Sequence, residues 1–249
     1  MCALFTVKSG ALYTRAMNAS RTARERARAE LTREIKEEAR RQLAEQGAQK
    51  LSLRAVAREL GMVSSALYRY YPSRDDLLTA LIIDAYDALG ETAEAAAAAA
   101  EEPRARWRAL CHAVRGWAVA HPHEYALIYG SPVPGYQAPR ATIEPAGRVA
   151  LALAGVVRDA SPPDTGDELP EGLAAQAGQV AAAAGLDMPL TVLVRALVAW
   201  TQLFGMIGFE LFGHLVGSAD PADEFFGFTV ERMADFIGLP ALPASRTVR

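Results

Sequence analysis

The sequence predicts an all-α protein in which a three-helix amino-terminal domain containing a helix-turn-helix precedes a larger helical body. Three observations carry that expectation. Apolar residues recur at helical spacing along most of the chain, no segment reads as a convincing strand, and two short amphipathic segments flank a turn at Gly61. The expected division is an extension over 1–20, a helix-turn-helix domain over 21–73, a helical domain over 74–240 and a tail over 241–249.

Taken in order, residues 1–20 show no clear period and read as a disordered extension, with Met17 in "MNAS" as a candidate start. From Thr22 to Gln46 strong helix formers predominate, and Leu31, Ile35, Ala39 and Leu43 form one stripe at i, i+4 spacing. Gly47 stops that helix. Ser52 is placed to cap a short helix that buries Leu53, Val56, Ala57 and Leu60 and halts at Gly61. A third short helix is predicted from about Val63 to Tyr70, broken by "YPS" at 71–73. A long fourth helix then runs from Arg74 to about residue 100, with Asp75 and Asp76 at its positive end.

Beyond residue 103 the pattern stays helical, with helices expected over 104–120, 123–130, 142–159, 189–216 and 221–237. Links rich in Pro and Gly fall near 131–139 and 161–172, and 173–186 reads as either a frayed helix or a mobile loop. The segment 189–215 carries charge only at Arg195 and Glu210, so it must be buried on two sides. Gly205, Gly208 and Gly213 on it would admit a close neighbour.

Charge is unevenly distributed. The net charge is −3, yet Arg21 to Arg74 holds 13 Lys/Arg against 7 Glu, while 75–249 holds 11 Arg against 22 Asp/Glu. A basic front on an acidic body implies a polyanionic partner at one end. Two cysteines, Cys2 and Cys111, make neither a disulfide framework nor a zinc site. No uncharged apolar run reaches the roughly 18 residues of a membrane span, and the amino terminus lacks a basic leader. These features predict a cytoplasmic protein without a membrane association.

The stretch "SSALYRYYPSRDDLL" gathers three phenols around one arginine. Two helices joined by a tight glycine turn place the second in the major groove of DNA. Tyrosine hydroxyls then suit phosphate oxygens, whereas Arg and Ser suit base edges. Tyr71, four residues after Leu67, reads instead as a core aromatic.

Residues 51–82, "LSLRAVARELGMVSSALYRYYPSRDDLLTALI", resemble the DNA-binding signature of the tetracycline-repressor (TetR) family of bacterial regulators. The resemblance covers about the first third of the chain, and the rest is similar only in being all helical with a final pair of apolar helices. It implies a homodimer that holds two heads over a palindromic double-stranded DNA operator, with a ligand-binding and dimerisation domain in the body. Carried over by position, it puts Ser52, Tyr68, Tyr70 and Arg74 on phosphates and Arg54, Ser64, Ser65 and Arg69 at base edges. Arg21 and Arg24 fall where some members extend a basic arm into the minor groove. Many members have a polar cap where this chain has Val63, which leaves open whether Ser64 caps the recognition helix or reads a base.

For a small-molecule effector of unknown class, the candidate pocket residues are Trp107, His112, Trp117, Tyr125, Tyr129, Trp200, Gln202 and Phe204, each equally explicable as core packing. No metal or other cofactor is expected: "HPHEY" at 121–125 reads as a helix start, and Cys111 as an apolar cysteine. The expected function is a ligand-released repressor. An effector-independent DNA binder is the alternative, and an enzyme is disfavoured because no glycine-rich phosphate loop, carboxylate pair or triad is present.

Overall fold

The structure, a computed structural model, describes residues 4–241, with side chains from residue 23 onward. Among the described residues there are ten α-helices and no strand. The chain divides into two compact units, Met1–Leu81 and Ile82–Arg249, and the boundary falls inside the fourth helix.

In the first unit, α1 (Leu4–Gln46) begins well before Thr22 and ends where Gly47 adopts φ +78°. Ile35, Ala39 and Leu43 are buried on one face, and Leu31 is half-buried. The outer face is laced by Arg33 with Glu30 and Glu37 and by Arg41 with Glu38 and Glu45. Such exposed i, i+3 and i, i+4 pairs each add little to stability, because water screens them. The expectations attached to residues 1–20 and to Arg21 fall on residues whose side chains lie outside the described set.

A single 3-10 turn, Ala48–Lys50, leads to α2 (Leu53–Glu59), which buries Leu53, Val56 and Ala57. Ser52 Oγ accepts from the Ala55 amide at 3.4 Å, capping the first turn. At the other end Met62 N–H donates to Ala57 O and Gly61 N–H to Arg58 O. That paired arrangement closes a helix through a left-handed residue, here Gly61 at φ +64°.

Helix α3 (Ser64–Leu67) is shorter than the pattern predicts. Arg69 N–H and Tyr70 N–H turn instead to carbonyls three residues back, on Ala66 and Leu67, so the helix tightens before it breaks. Pro72 explains the break, because it drives the residue before it out of helical geometry. Leu67 and Tyr71 are buried together, as expected for Tyr71. Helix α4 (Arg74–Ala98) starts at a reciprocal cap: Ser73 Oγ accepts from Asp76 N–H at 3.1 Å and donates to Asp76 Oδ2 at 2.7 Å.

The second unit contains the rest of α4 with α5 (Pro103–Ala120), α6 (Pro122–Tyr129), α7 (Ile143–Ala160), α8 (Glu171–Ala184), α9 (Leu190–Leu211) and α10 (Asp223–Ile237). The segment with two readings is thus a helix, α8, ended by Gly185 at φ +62°. Helix α9 lies at the centre, in contact with α5, α6, α7, α8 and α10. By length and composition alone it would also pass for a membrane span. Here its faces carrying Val192, Leu193, Ala196, Ala199, Leu203, Met206 and Ile207 are buried against its neighbours. It ends five residues before the expected 216, and Gly213, at φ +78°, follows that end.

Arginines tie the helices of this unit together. Arg104 on α5 is almost fully buried and donates to Glu231 Oε2 at 2.9 Å, to the Leu239 carbonyl at 3.3 Å and to Asp235. Arg148 on α7 forks onto Glu94 at 2.7 and 2.9 Å and reaches Asp87 Oδ1 at 2.9 Å. Its stem lies across Gly90 on α4.

Candidate nucleic-acid interface

The sequence of the head sorts its side chains by face. Leu53, Val56, Ala57, Leu67 and Tyr71 go inward, and Arg54, Ser64, Ser65, Tyr68 and Arg69 are left exposed on α2, α3 and the turn that follows. Val63 occupies the capping position of α3 with no side-chain hydrogen bond, so Ser64 is the first helical residue rather than the cap. Its hydroxyl belongs to the exposed set. Tyr68 remains 42% exposed, whereas Leu67 beside it is buried. Ser52 is half-buried, and its oxygen serves the cap while the hydroxyl proton stays available to an acceptor.

Two expected phosphate residues have intramolecular partners. Arg74 Nη2 donates to the Ala48 carbonyl at 2.7 Å, joining the start of α4 to the α1–α2 link, and its Nε is buried without an acceptor. Tyr70 is half-buried beneath the Arg28 guanidinium, whose Cζ lies 5.1 Å from the ring centroid. Arg28 carries no motif signal, since nothing local to α1 reveals a contact with a residue after α3. Arg24, one turn earlier on α1, is exposed.

In the body, six of the eight candidate pocket residues belong to one buried core or pack against it, and four of those make direct ring contacts with one another. Tyr125, Tyr129, Trp200 and Phe204 come together, with Tyr129 and Phe204 rings 4.1 Å apart and Trp200 5.7 Å from Phe204. Tyr86 on α4, which the sequence did not single out, joins them 6.0 Å from Tyr129. The Tyr125 hydroxyl donates to Phe204 O at 3.0 Å and the Tyr86 hydroxyl to Ile128 O at 3.2 Å. Trp200 Nε1 is buried without an acceptor. Burial pushes the Tyr125 and Tyr129 hydroxyls well above the usual phenol range, so both stay neutral donors.

The other four have different partners, although Trp107 and Trp117 share the buried core with Tyr125. Trp107 packs in the α5–α10 core and donates from Nε1 to Val230 O at 3.1 Å. His112 is exposed and edges onto Phe226, its pKa lowered by burial and by the charges of Arg115 and Arg108. Trp117 stacks on His121 at 5.0 Å, and Gln202 is exposed on the outer side of α9. Cys111 is fully buried, and that burial raises its thiol pKa far from reactivity. Among the described residues no cluster of His, Cys, Asp and Glu has the makings of a metal site.

Family models match the chain at both ends. Residues 35–81 fit bacterial regulatory proteins of the tetR family, and residues 107–233 fit a tetracyclin repressor-like C-terminal domain. The chain is also 40% identical over 197 residues to the HTH-type transcriptional regulator Rv1816 of Mycobacterium tuberculosis, covering 75% of this chain and 83% of that protein. The chain belongs to the TetR family.

Solved structures agree with the TetR fold. SCO4313 superposes with a TM-score of 0.74 at 34% identity, covering 85% of this chain and 98% of its own. A Rhodococcus sp. RHA1 protein of unknown function superposes at 0.62 with 28% identity, covering 85% and 96%. As a TetR-family chain the protein is a helix-turn-helix transcriptional regulator and not an enzyme. Its DNA-facing unit is the head described above.

Proposed function

We propose that the protein is a cytoplasmic homodimeric repressor, which binds a palindromic operator in double-stranded DNA and leaves it when a small-molecule effector occupies the body. The observation that carries the DNA-binding part is the exposed set Arg54, Ser64, Ser65, Tyr68 and Arg69 on a helix-turn-helix whose Leu53, Val56, Ala57 and Leu67 are buried. In this reading Ser52, Tyr68, Tyr70 and Arg74 meet phosphates, and Arg54, Ser64, Ser65 and Arg69 read base edges. Dimerisation is supported by exposed large apolar residues on α9, at its end and on α10. Phe209 is 56% and Phe228 65% exposed, and Val198, Phe212, Phe225 and Phe236 accompany them. Phe225, Phe228 and Phe236 share one face of α10 by helical spacing, and an exposed apolar face of that kind suits a protein contact.

The effector reading rests on the aromatic group of Tyr86, Tyr125, Tyr129, Trp200 and Phe204, where an indole N–H still lacks an acceptor. An effector acts only by binding one state better than the other. The test is selection of bound sequences from random duplexes at two salt concentrations, followed by measurement of the mass of the complex. A palindromic site occupied by two chains is the expected result. Salt-sensitive binding without sequence preference would favour an effector-independent DNA binder.

A further inference from the structure

We infer that Arg28 and Tyr70 form one composite phosphate clamp, in which α1 supplies the charge and the turn after α3 supplies the phenol. The inference rests on the DNA-binding reading of the head and adds to it a residue outside the helix-turn-helix.

The observation is the cation–ring pair itself. Arg28 Cζ lies 5.1 Å from the Tyr70 ring centroid, although Arg28 is exposed and has water as an alternative. Other arginines of α1 are engaged within their own helix: Arg33 pairs with Glu30 and Glu37, and Arg41 with Glu38 and Glu45. Arg28 instead reaches a side chain of the recognition segment. A guanidinium over an aromatic face spends no conventional hydrogen bond on it, so its N–H donors stay available. Those donors match phosphate oxygens two at a time. The half-buried Tyr70 holds the cation in place, so less side-chain freedom is lost when a phosphate arrives. Arg24 is exposed one turn away on α1 and extends the positive strip, while Tyr68 and Arg69 immediately precede Tyr70 in the chain and are exposed too.

The partner is therefore a phosphodiester of the DNA backbone next to the groove entered by α3. A phosphate contact carries no sequence information and should affect every duplex alike.

The experiment measures binding of the full chain to its selected duplex and to a random duplex across a salt series. Arg28→Ala is expected to lower the slope of log Kobs against log salt by about 0.9 on both duplexes, the value for one phosphate neutralised. Tyr70→Phe keeps the ring and the charge, so it leaves the slope unchanged and weakens both duplexes together. Arg28→Lys is expected to retain the slope. Should Arg28→Ala melt early, Arg28→Gln keeps a helix-forming stem, removes the charge and gives the same readout. A merely structural role would lower affinity without moving the slope, and that result would overturn the clamp while leaving the DNA-binding reading standing. Failure of the wild-type chain to bind either duplex would overturn both.

Discussion

At the scale of single residues, the head separates two chemistries on adjacent positions. Tyr68 and Arg69 are neighbours and both exposed, yet one offers a neutral hydroxyl at the end of a stiff ring and the other a flexible, charged fork. If Arg69 reads a guanine, Arg69→Ala should cost about 1–3 kcal/mol on the operator and far less on random DNA. Equal losses on both duplexes, measured by titration, would make it a phosphate contact instead. Tyr68→Phe should weaken all sequences together, and a loss confined to the operator would remove it from the backbone contacts. Arg74 illustrates a residue with two demands on it. Its bond to the Ala48 carbonyl fixes the start of α4, so its truncation would loosen the head as well as remove a cation.

At the scale of elements, close approach decides the effect of a substitution more than propensity does. Within a helix Ala is favoured over Gly by about 1 kcal/mol. A methyl on Gly90 would nevertheless lie 2.8 Å from Arg148 Cβ and Nε, which forces the arginine stem or α7 aside. Overpacking of that kind costs roughly 1–3 kcal/mol. Gly90→Ala is therefore expected to lower Tm, and to keep part of that cost in an Arg148→Ala background, which removes Cδ and Nε but leaves the Cβ at 2.8 Å; a raised Tm in the single variant would show that α7 adjusts freely. The α5–α10 junction carries a pH dependence. Burial alone would raise the Glu231 pKa, but hydrogen bonds from Arg108 and Arg104 hold it below the usual carboxylate range. A hydrogen bond from Arg104 holds Asp235 low as well. Carboxylates depressed in the folded state contribute stability above their unfolded pKa, near 4, and lose it as pH falls through the folded value. Tm should accordingly drop as pH is taken from about 5 towards 3, and the drop should flatten in Arg104→Gln.

At the scale of the whole molecule, the set of exposed apolar residues on α9 and α10 is the feature that a single chain does not satisfy. Phe228, 65% exposed and lying under Arg232 at 5.4 Å, is central to it on α10. On the dimer proposal, Phe228→Glu should halve the mass measured by sedimentation and weaken the palindromic operator much more than random DNA. A chain that stays dimeric would exclude this face of α10 from the interface. Isologous pairing would bring the same face of each copy together, so one substitution acts twice.

The sequence by itself determined the helical class, most helix boundaries and the helix-turn-helix, because i, i+4 spacing, caps and glycine stops act over a few residues. Gly47 and Gly61 end their helices as the pattern requires, and Ser52 caps α2. It also determined which motif residues turn inward, since Leu53, Val56, Leu67 and Tyr71 follow one periodicity. The length of α3 was less legible: a run of helix formers does not show that Pro72 unwinds the turn before it. Only tertiary structure decided the partnerships between distant helices. It set Arg28 on Tyr70, hooked Arg74 onto Ala48, and brought the Tyr125, Tyr129, Trp200 and Phe204 rings together with Tyr86. The reason is physical: a residue's face is fixed by its own helix, but what meets that face depends on how helices pack, and local periodicity carries no record of that.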